Sequence, residues 1–204
     1  MISAIVLAAG LSSRMGRFKP LLPYGECTVI EQIVTVLLKS PVEEVIVVTG
    51  FKGQTIETQL KSWPVTLVNN PDYATGEMLT SLHVGLSAVS SESTAILLTL
   101  GDQPAIQSEV VEKVIAASHD NNESIIIPSY QRRRGHPLLI PRDYWKEIYS
   151  LSHGHTLRDF LRLINNIFHV EVYTSTILRD MDTISDYQHE LALLRGSSFH
   201  LQSS

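Results

Sequence analysis

Two rhythms of apolar residues alternate along the chain. Short unbroken runs at Ile2–Ala8, Glu44–Thr49, Val65–Val68, Ala95–Leu100 and Ile125–Pro128 are rich in Val, Ile and Leu and read as buried strands. Between them lie segments whose apolar positions return every three or four residues. Val29–Leu38 carries Val29, Ile30, Ile33, Val34 and Leu37 on one helical face. Thr55–Leu60 reads as a short helix, and Leu79–Val89 puts Leu82, Leu86 and Val89 on one side. Ser108–Ala117 reads as a helix with Ser108 as N-cap and Glu112 in its first turn. After Pro128 the beat loosens: strands are expected at Leu138–Ile140 and Phe168–Val172, and helices at Arg142–Tyr149, Leu157–Ile164 and Ser185–Leu194. Strands apolar on both sides need cover on both faces, which argues for βαβ units and a mostly parallel sheet. The expected fold class is α/β, a Rossmann-like three-layer α/β/α sandwich. The pattern predicts a single domain over 1–196, and the polar end, 197–204, reads as a flexible tail.

Composition narrows the function without naming it. A chain of 204 residues with 44% hydrophobic content can build one sizeable core. A net charge of −5 argues against coating nucleic acid or an anionic membrane, so any cationic cluster serves a local purpose. The apolar runs are too short to span a bilayer, and the start MISAIVLAAG, with no basic lead-in, reads as a first strand rather than a signal peptide. Cys27, the single cysteine, forbids an internal disulfide and fits a reducing, cytoplasmic setting. It sits in the turn-like GECT and reads as a small residue, not a nucleophile.

One stretch has neither rhythm. LAAGLSSRMGRFK, Leu7 to Lys19, places glycines, serines and cations just past the first strand. Ligands of open α/β sheets bind outside the carboxyl ends of strands. Gly10 lets the backbone approach a ligand, Ser12 and Ser13 offer hydroxyls, and Arg14 and Lys19 offer charge-assisted contacts. Five residues separate Gly10 from Gly16, so the loop is neither a Walker motif nor GxGxxG. The cations favour a phosphate ligand. GDQP, Gly101–Pro104, follows the most apolar strand; Asp102 there either caps a turn or holds a hard cation. The run QRRRGHP either contacts an anion or is a solvated hairpin tip. In DMDTISDY, Asp180–Tyr187, the acids either hold metal or form an Asx turn with Ser185 capping the last helix. No His/Cys cluster has zinc spacing.

LAAGLSSRMGRFKPLLPYG, Leu7–Gly25, resembles the signature of the MobA-like NTP transferases, and within them the molybdenum cofactor cytidylyltransferase group, which includes accessory proteins for xanthine dehydrogenase in purine catabolism. The resemblance extends from Ile5 to Tyr187 and is densest in the first 25 residues. It implies a nucleotide-diphospho-sugar transferase (GT-A type) fold and a nucleotidyl transfer that moves CMP from CTP onto the phosphate of molybdopterin, or molybdenum cofactor, with release of pyrophosphate. It implies Mg2+ as cofactor, held by Asp102 and Asp182, with Asp180 the second choice. Arg14, Lys19 and Asp102 take catalytic roles. Leu7, Ala8, Ala9, Gly10, Ser12, Ser13, Lys19, Gly76, Met78, Ser81 and Asp102 contact the nucleotide. Arg134, Gly135, His136 and Arg158 face the acceptor. The segment SHGHTLRDFL departs from the family's acceptor pattern, with His155 and Thr156 near its expected Asp and Gly.

The resemblance leaves alternatives. Ala9 in LAAG favours CTP where a glycine goes with GTP, and one methyl is worth only about 1–3 kcal/mol of discrimination. The acceptor can be a sugar phosphate instead. A non-catalytic carrier that hands the cofactor to a recipient molybdenum hydroxylase is the reading from a different class. Retention of Lys19, Asp102 and Asp182 argues for the enzyme, because a carrier needs no metal-binding acids.

Overall fold

The computed structural model describes residues 1–75, 78–151 and 154–201, with backbone alone from 197. Gly76, a predicted nucleotide contact, therefore lies outside the described residues, as does Ser152 of the SHGHTLRDFL segment.

The strands are β1 (Ile2–Leu7), β2 (Pro23–Tyr24), β3 (Cys27–Thr28), β4 (Glu44–Thr49), β5 (Thr66–Asn69), β6 (Ala95–Leu100), β7 (Ile125–Tyr130), β8 (Arg133–Arg134), β9 (Leu138–Pro141) and β10 (Ile167–Glu171). The helices are α1 (Val29–Leu38), α2 (Gly53–Gln59), α3 (Met78–Ala88), α4 (Ser108–Asp120), α5 (Trp145–Ser150), α6 (Leu157–Leu163) and α7 (Ile184–Leu201). The main sheet has the order β10-β7-β9-β6-β1-β4-β5, with β8 paired to β7, and β2 and β3 form a separate hairpin. β1 runs parallel to both β4 and β6, with Ile5 opposite Ile46 on one side and Leu98 on the other. β9 runs antiparallel to β6 and β7, a reversal the apolar pattern of Leu138–Ile140 does not encode.

Alternate residues of the central strands feed two cores. Ala4 and Val6 of β1 pack with side chains of α1, α2, α4 and α7; Ile5 packs with those of α3, α5 and α6. The result is an α/β/α sandwich, as expected. After β1 the chain moves outward to β4 and β5, then returns to place β6 on the other side of β1. The crevice between the carboxyl ends of β1 and β6 is thus the switch point where α/β sheets bind ligands.

Local chemistry accounts for most boundaries and for several misreadings. α1 starts at a capping box in which Thr28 accepts from Glu31 N while the Glu31 carboxylate accepts from Thr28 N at 2.8 Å. The N-cap position of α4 is held by Gln107, whose side chain makes no capping hydrogen bond, and Ser108 is the helix's first residue; the first turn holds Glu109 rather than Glu112. Ser185 does not cap α7. That job falls to Thr183, whose hydroxyl accepts from Asp186 N at 3.2 Å while Asp186 accepts from Thr183 N at 2.7 Å. α7 continues to Leu201, beyond the expected end at Leu194. The arginine run is a hairpin tip: Gln131 and Arg132 take the left-handed conformation between β7 and β8, and all three arginines are exposed. Burial pushes the Cys27 thiol up, which fits the non-nucleophilic reading.

α7 is clamped to the start of the chain. The Tyr187 hydroxyl donates to Pro23 O at 2.6 Å, and Arg179 pairs with the buried Glu190. Gly135 lies against the 3-10 turn Ser175–Leu178: a Cβ there would meet Ile177 Cβ at 2.7 Å and crowd the Ile177 carbonyl oxygen. Next to it, His136 N donates to Ile177 O at 3.1 Å. Burial pushes the His136 imidazole down to about 4, against the pull of the Asp102 carboxylate.

Two predictions come from this corner. Gly135→Ala should destabilise the fold by about 3 kcal/mol, because the obstructing atom is backbone and cannot swing away; urea unfolding should show a lower midpoint with an unchanged slope. His136 is held neutral in the folded chain while the unfolded chain binds a proton near 6.5. Its contribution is therefore complete above about pH 6.5 and is lost as pH falls toward about 4. Replacing it (His136→Gln) should flatten the fall in unfolding free energy over that window.

Candidate active site

A cavity of ≈ 350 Å³ opens at the switch point. Its floor is the end of β1 and the turn beyond, Leu7 to Gly10, and its wall on the β6 side is Leu100 to Asp102. The end of β1 is tied to both neighbours: Gly101 N, just past β6, donates to Leu7 O, and Ala8 N donates to Val48 O of β4, both at 2.9 Å. A Cβ on Gly101 would strike Leu7 O at 2.7 Å and Ala8 Cα at 3.0 Å, so only glycine carries β6 this close to β1 and delivers Asp102 to the cavity. At Gly10 the opposite holds. Nothing in the protein lies within 4 Å of a Cβ there, so the space such a methyl would take is open cavity.

The glycine loop folds back to present its cations. Ser12 takes the left-handed conformation, φ 54°, and its hydroxyl accepts from Lys19 N at 3.2 Å. Lys19 opens a 3-10 turn with Pro20, which fixes the backbone behind it. Its ammonium, 11% exposed, then bridges two acids, Asp102 Oδ2 at 3.1 Å and Asp182 Oδ1 at 2.9 Å. Arg14, 73% exposed, reaches the other oxygen of Asp182 at 2.6 Å. Asp182 arrives from the far end of the chain. Met181 N donates to Asp102 O at 3.0 Å, and the Thr183–Asp186 cap accepts Asp182 N through Asp186 Oδ2 at 3.2 Å.

One ammonium thus serves two carboxylates, with opposite outcomes. Burial holds the Asp102 carboxyl above its usual range despite Lys19, and the neighbouring Asp180 and Asp182 add to the rise. The Lys19 hydrogen bond, helped by Arg14, holds the more exposed Asp182 below its usual range. Asp180 also lines the cavity. Three carboxylates therefore face the two cations Arg14 and Lys19, a formal balance of one negative charge.

These oxygens suit a hard divalent cation. Among the described residues no group of three or more His, Cys, Asp or Glu side chains is set to cage an ion. Mg2+ does not require a cage, since it is commonly held by one or two carboxylates together with substrate phosphates and water. Asp102 with Asp182 or Asp180 fits that role.

Most of the residues predicted from the sequence meet here: Leu7, Ala8, Ala9, Gly10, Ser12, Arg14, Lys19, Met78, Ser81, Asp102, Asp180 and Asp182 all line the cavity. Ser13 does not; its carbonyl accepts from Gly16 N in the loop's turn. Ser81 is oriented by Asn70, whose amide donates to its hydroxyl at 3.0 Å. The acceptor set does not line the cavity. Arg134 is exposed and reaches His169 at 3.2 Å, Gly135 packs on Ile177, and Arg158 is exposed on the first turn of α6. Of that set only His136 has a shown link to the cavity acids, through the field of Asp102. Tyr73, Pro20, Leu100 and Gly101 line the cavity without having been singled out in the sequence. Tyr73 carries no sequence signal of its own; its close approach to Ala9 depends on Gly50, where a Cβ would meet Tyr73 Cβ at 2.6 Å and Ala9 Cβ at 2.9 Å.

Comparison with known proteins bears directly on this arrangement. Among curated relatives, the molybdenum cofactor cytidylyltransferase of Escherichia coli (strain K12) is 31% identical over 187 residues, covering 91% of this chain and 93% of that protein. Among solved structures, a nucleotidyl transferase from Methanothermobacter thermautotroptrophicus superposes with a TM-score of 0.83 at 29% identity, covering 97% of this chain and 99% of that one. A manganese complex of Rv0371c from Mycobacterium tuberculosis H37Rv superposes with a TM-score of 0.80 at 26% identity, over 94% and 98% of the two chains. No described helix is long and apolar enough to cross a membrane. Residues 4–171 match the MobA-like NTP transferase domain, which includes both the glycine loop and Asp102, and the chain belongs to that family of nucleotidyltransferases.

Proposed function

We propose that this protein transfers CMP from CTP onto the terminal phosphate of molybdopterin or its molybdenum-loaded form, releasing pyrophosphate. The product would supply a molybdenum hydroxylase such as a xanthine dehydrogenase, placing the protein in purine catabolism in the cytoplasm. The observation that carries the reading is the Lys19 ammonium, buried at the mouth of the glycine loop and shared by acids from opposite ends of the chain. The cytidylyltransferase relative supports the choice of donor and acceptor.

The acceptor phosphate is already an anion, so no side chain needs to act as base. The task is to bring two anions together and to stabilise the charge that passes to the leaving pyrophosphate. The backbone at Ala8, Ala9 and Gly10 lies open to the nucleoside, with Met78 and Ser81 opposite. Lys19 and Arg14 turn from their carboxylates to the triphosphate, exchanging one anionic partner for another without losing neutralisation. Asp102, with Asp182 or Asp180, would hold Mg2+, which would supply Lewis-acid stabilisation of the phosphate charge. The remaining negative charge of the cavity favours entry of the triphosphate together with such a cation. For the acceptor, His136 near Asp102 is the best-placed of Arg134, Gly135, His136 and Arg158.

Pyrophosphate release, measured with CTP or GTP and Mg2+, should depend on molybdenum-loaded molybdopterin and favour CTP. Preference for GTP reverses the base assignment, and cofactor binding without release from either nucleotide favours the carrier. Lys19→Ala should lower kcat by about 10²–10³ while the folded state survives, the loss expected when a preorganised charge is removed. A near-normal rate in steady-state assay removes Lys19 from the mechanism.

A further inference from the structure

Gln103 follows Asp102 at the carboxyl end of β6 and is 2% exposed. Its Nε2 donates to Asp180 Oδ1, an orientation the acceptor-only carboxylate selects. Its Oε1 is buried with no hydrogen-bond partner, one of two such side-chain atoms among the described residues. A buried amide that leaves one end unpaired is an unfavourable choice for packing alone, and an apolar side chain of similar bulk would fill the place without that cost. The amide's value lies at its paired end.

The three cavity acids differ in their partners. Asp182 is engaged by both Lys19 and Arg14, and Asp102 by Lys19 through Oδ2. Among the described residues no Lys or Arg pairs with Asp180, which instead accepts from the neutral amide of Gln103. A divalent cation can therefore approach Asp180 without displacing Lys19 or Arg14. Asp180 is also tied to Asp102 by two rungs: the Gln103 amide, one residue beyond Asp102, and Met181 N on Asp102 O at 3.0 Å. A neutral donor fixes a carboxylate's direction without cancelling the charge that a cation needs.

We infer that Gln103 is a positioning residue that aims Asp180, beside Asp102, at the divalent cation, with Asp182 reserved for Lys19 and Arg14. This deepens the nucleotidyltransferase reading and rests on it for the cation's purpose. The acid pair serving the cation is then Asp102 and Asp180, in place of Asp102 and Asp182. Loss of the amide leaves the cavity lining intact but frees the Asp180 carboxylate to turn away from the cation.

The test is Mn2+ binding followed by electron paramagnetic resonance of the free ion, with CTP absent and then present, alongside thermal unfolding. Gln103→Leu keeps the bulk and removes the donor. It should weaken Mn2+ binding by about 10–100-fold, the usual cost of losing a group that orients a ligand, without lowering the unfolding temperature. Asp180→Asn should show a similar loss, and the double variant should be no worse than Asp180→Asn alone, because Gln103 acts through Asp180. Asp182→Asn should keep most Mn2+ affinity. Wild-type Mn2+ affinity in Gln103→Leu, additive losses in the double variant, or no Mn2+ binding by the wild-type chain in either state would each overturn the inference. The binding measurement needs no turnover, so a chain that binds Mn2+ as described yet releases no pyrophosphate would overturn the transferase reading and leave the role of Gln103 standing.

Discussion

An ammonium buried to 11% exposure must be paired, and Lys19 is paired twice. That requirement organises the molecule. To meet it, residue 19 has to be folded back by Ser12 and Pro20, Asp102 has to be delivered by a strand pressed against β1 through Gly101, and Asp182 has to be brought from beyond residue 171, past the matched family domain. The last requirement explains why α7 is clamped so firmly at its start, by the Thr183–Asp186 cap, Tyr187 on Pro23 O and the Arg179–Glu190 pair. The carboxyl-terminal helix is part of the site's scaffold, not an appendage to the sheet.

The electrostatics of the site suit an anionic ligand that arrives with a cation. Lys19 and Arg14 are each paired with carboxylates. The third acid leaves the balance negative. Phosphate oxygens can share the cations with these carboxylates, and Asp102 and Asp180 remain available to a metal ion. This sharing keeps every charge paired throughout, which avoids the cost of uncovering a buried charge.

The sequence revealed these features unevenly, for physical reasons. Strands such as Glu44–Thr49 and Ala95–Leu100 were legible to the residue because burial on both faces imposes an unbroken apolar run. The glycine loop was legible because its chemistry is local: glycines, hydroxyls and cations within thirteen residues, Leu7 to Lys19. The antiparallel sense of β9 was not, since pairing direction leaves no mark on three apolar residues. Caps were misplaced by a residue or two because Ser108 and Ser185 have the right side chain one and two steps from the right backbone position. Gln103 stood inside the GDQP motif and Tyr73 in none, and their roles depend on partners, Asp180 and Ala9, that only the tertiary fold supplies. The arginine run was open to two readings, an anion contact or a solvated hairpin tip, and it folds as an exposed hairpin tip with Arg134 turned to His169.

The central claim is that Lys19 and its acids form a site for a triphosphate bound together with a divalent cation. Titration calorimetry of CTP, with Mg2+ and then with a chelator, tests it most directly. The account predicts tight binding with Mg2+, strong weakening with the chelator, and loss of the Mg2+ effect in Asp102→Asn. Equal CTP affinity with and without the cation would contradict it, because the negative balance of the three carboxylates would then have no part in binding.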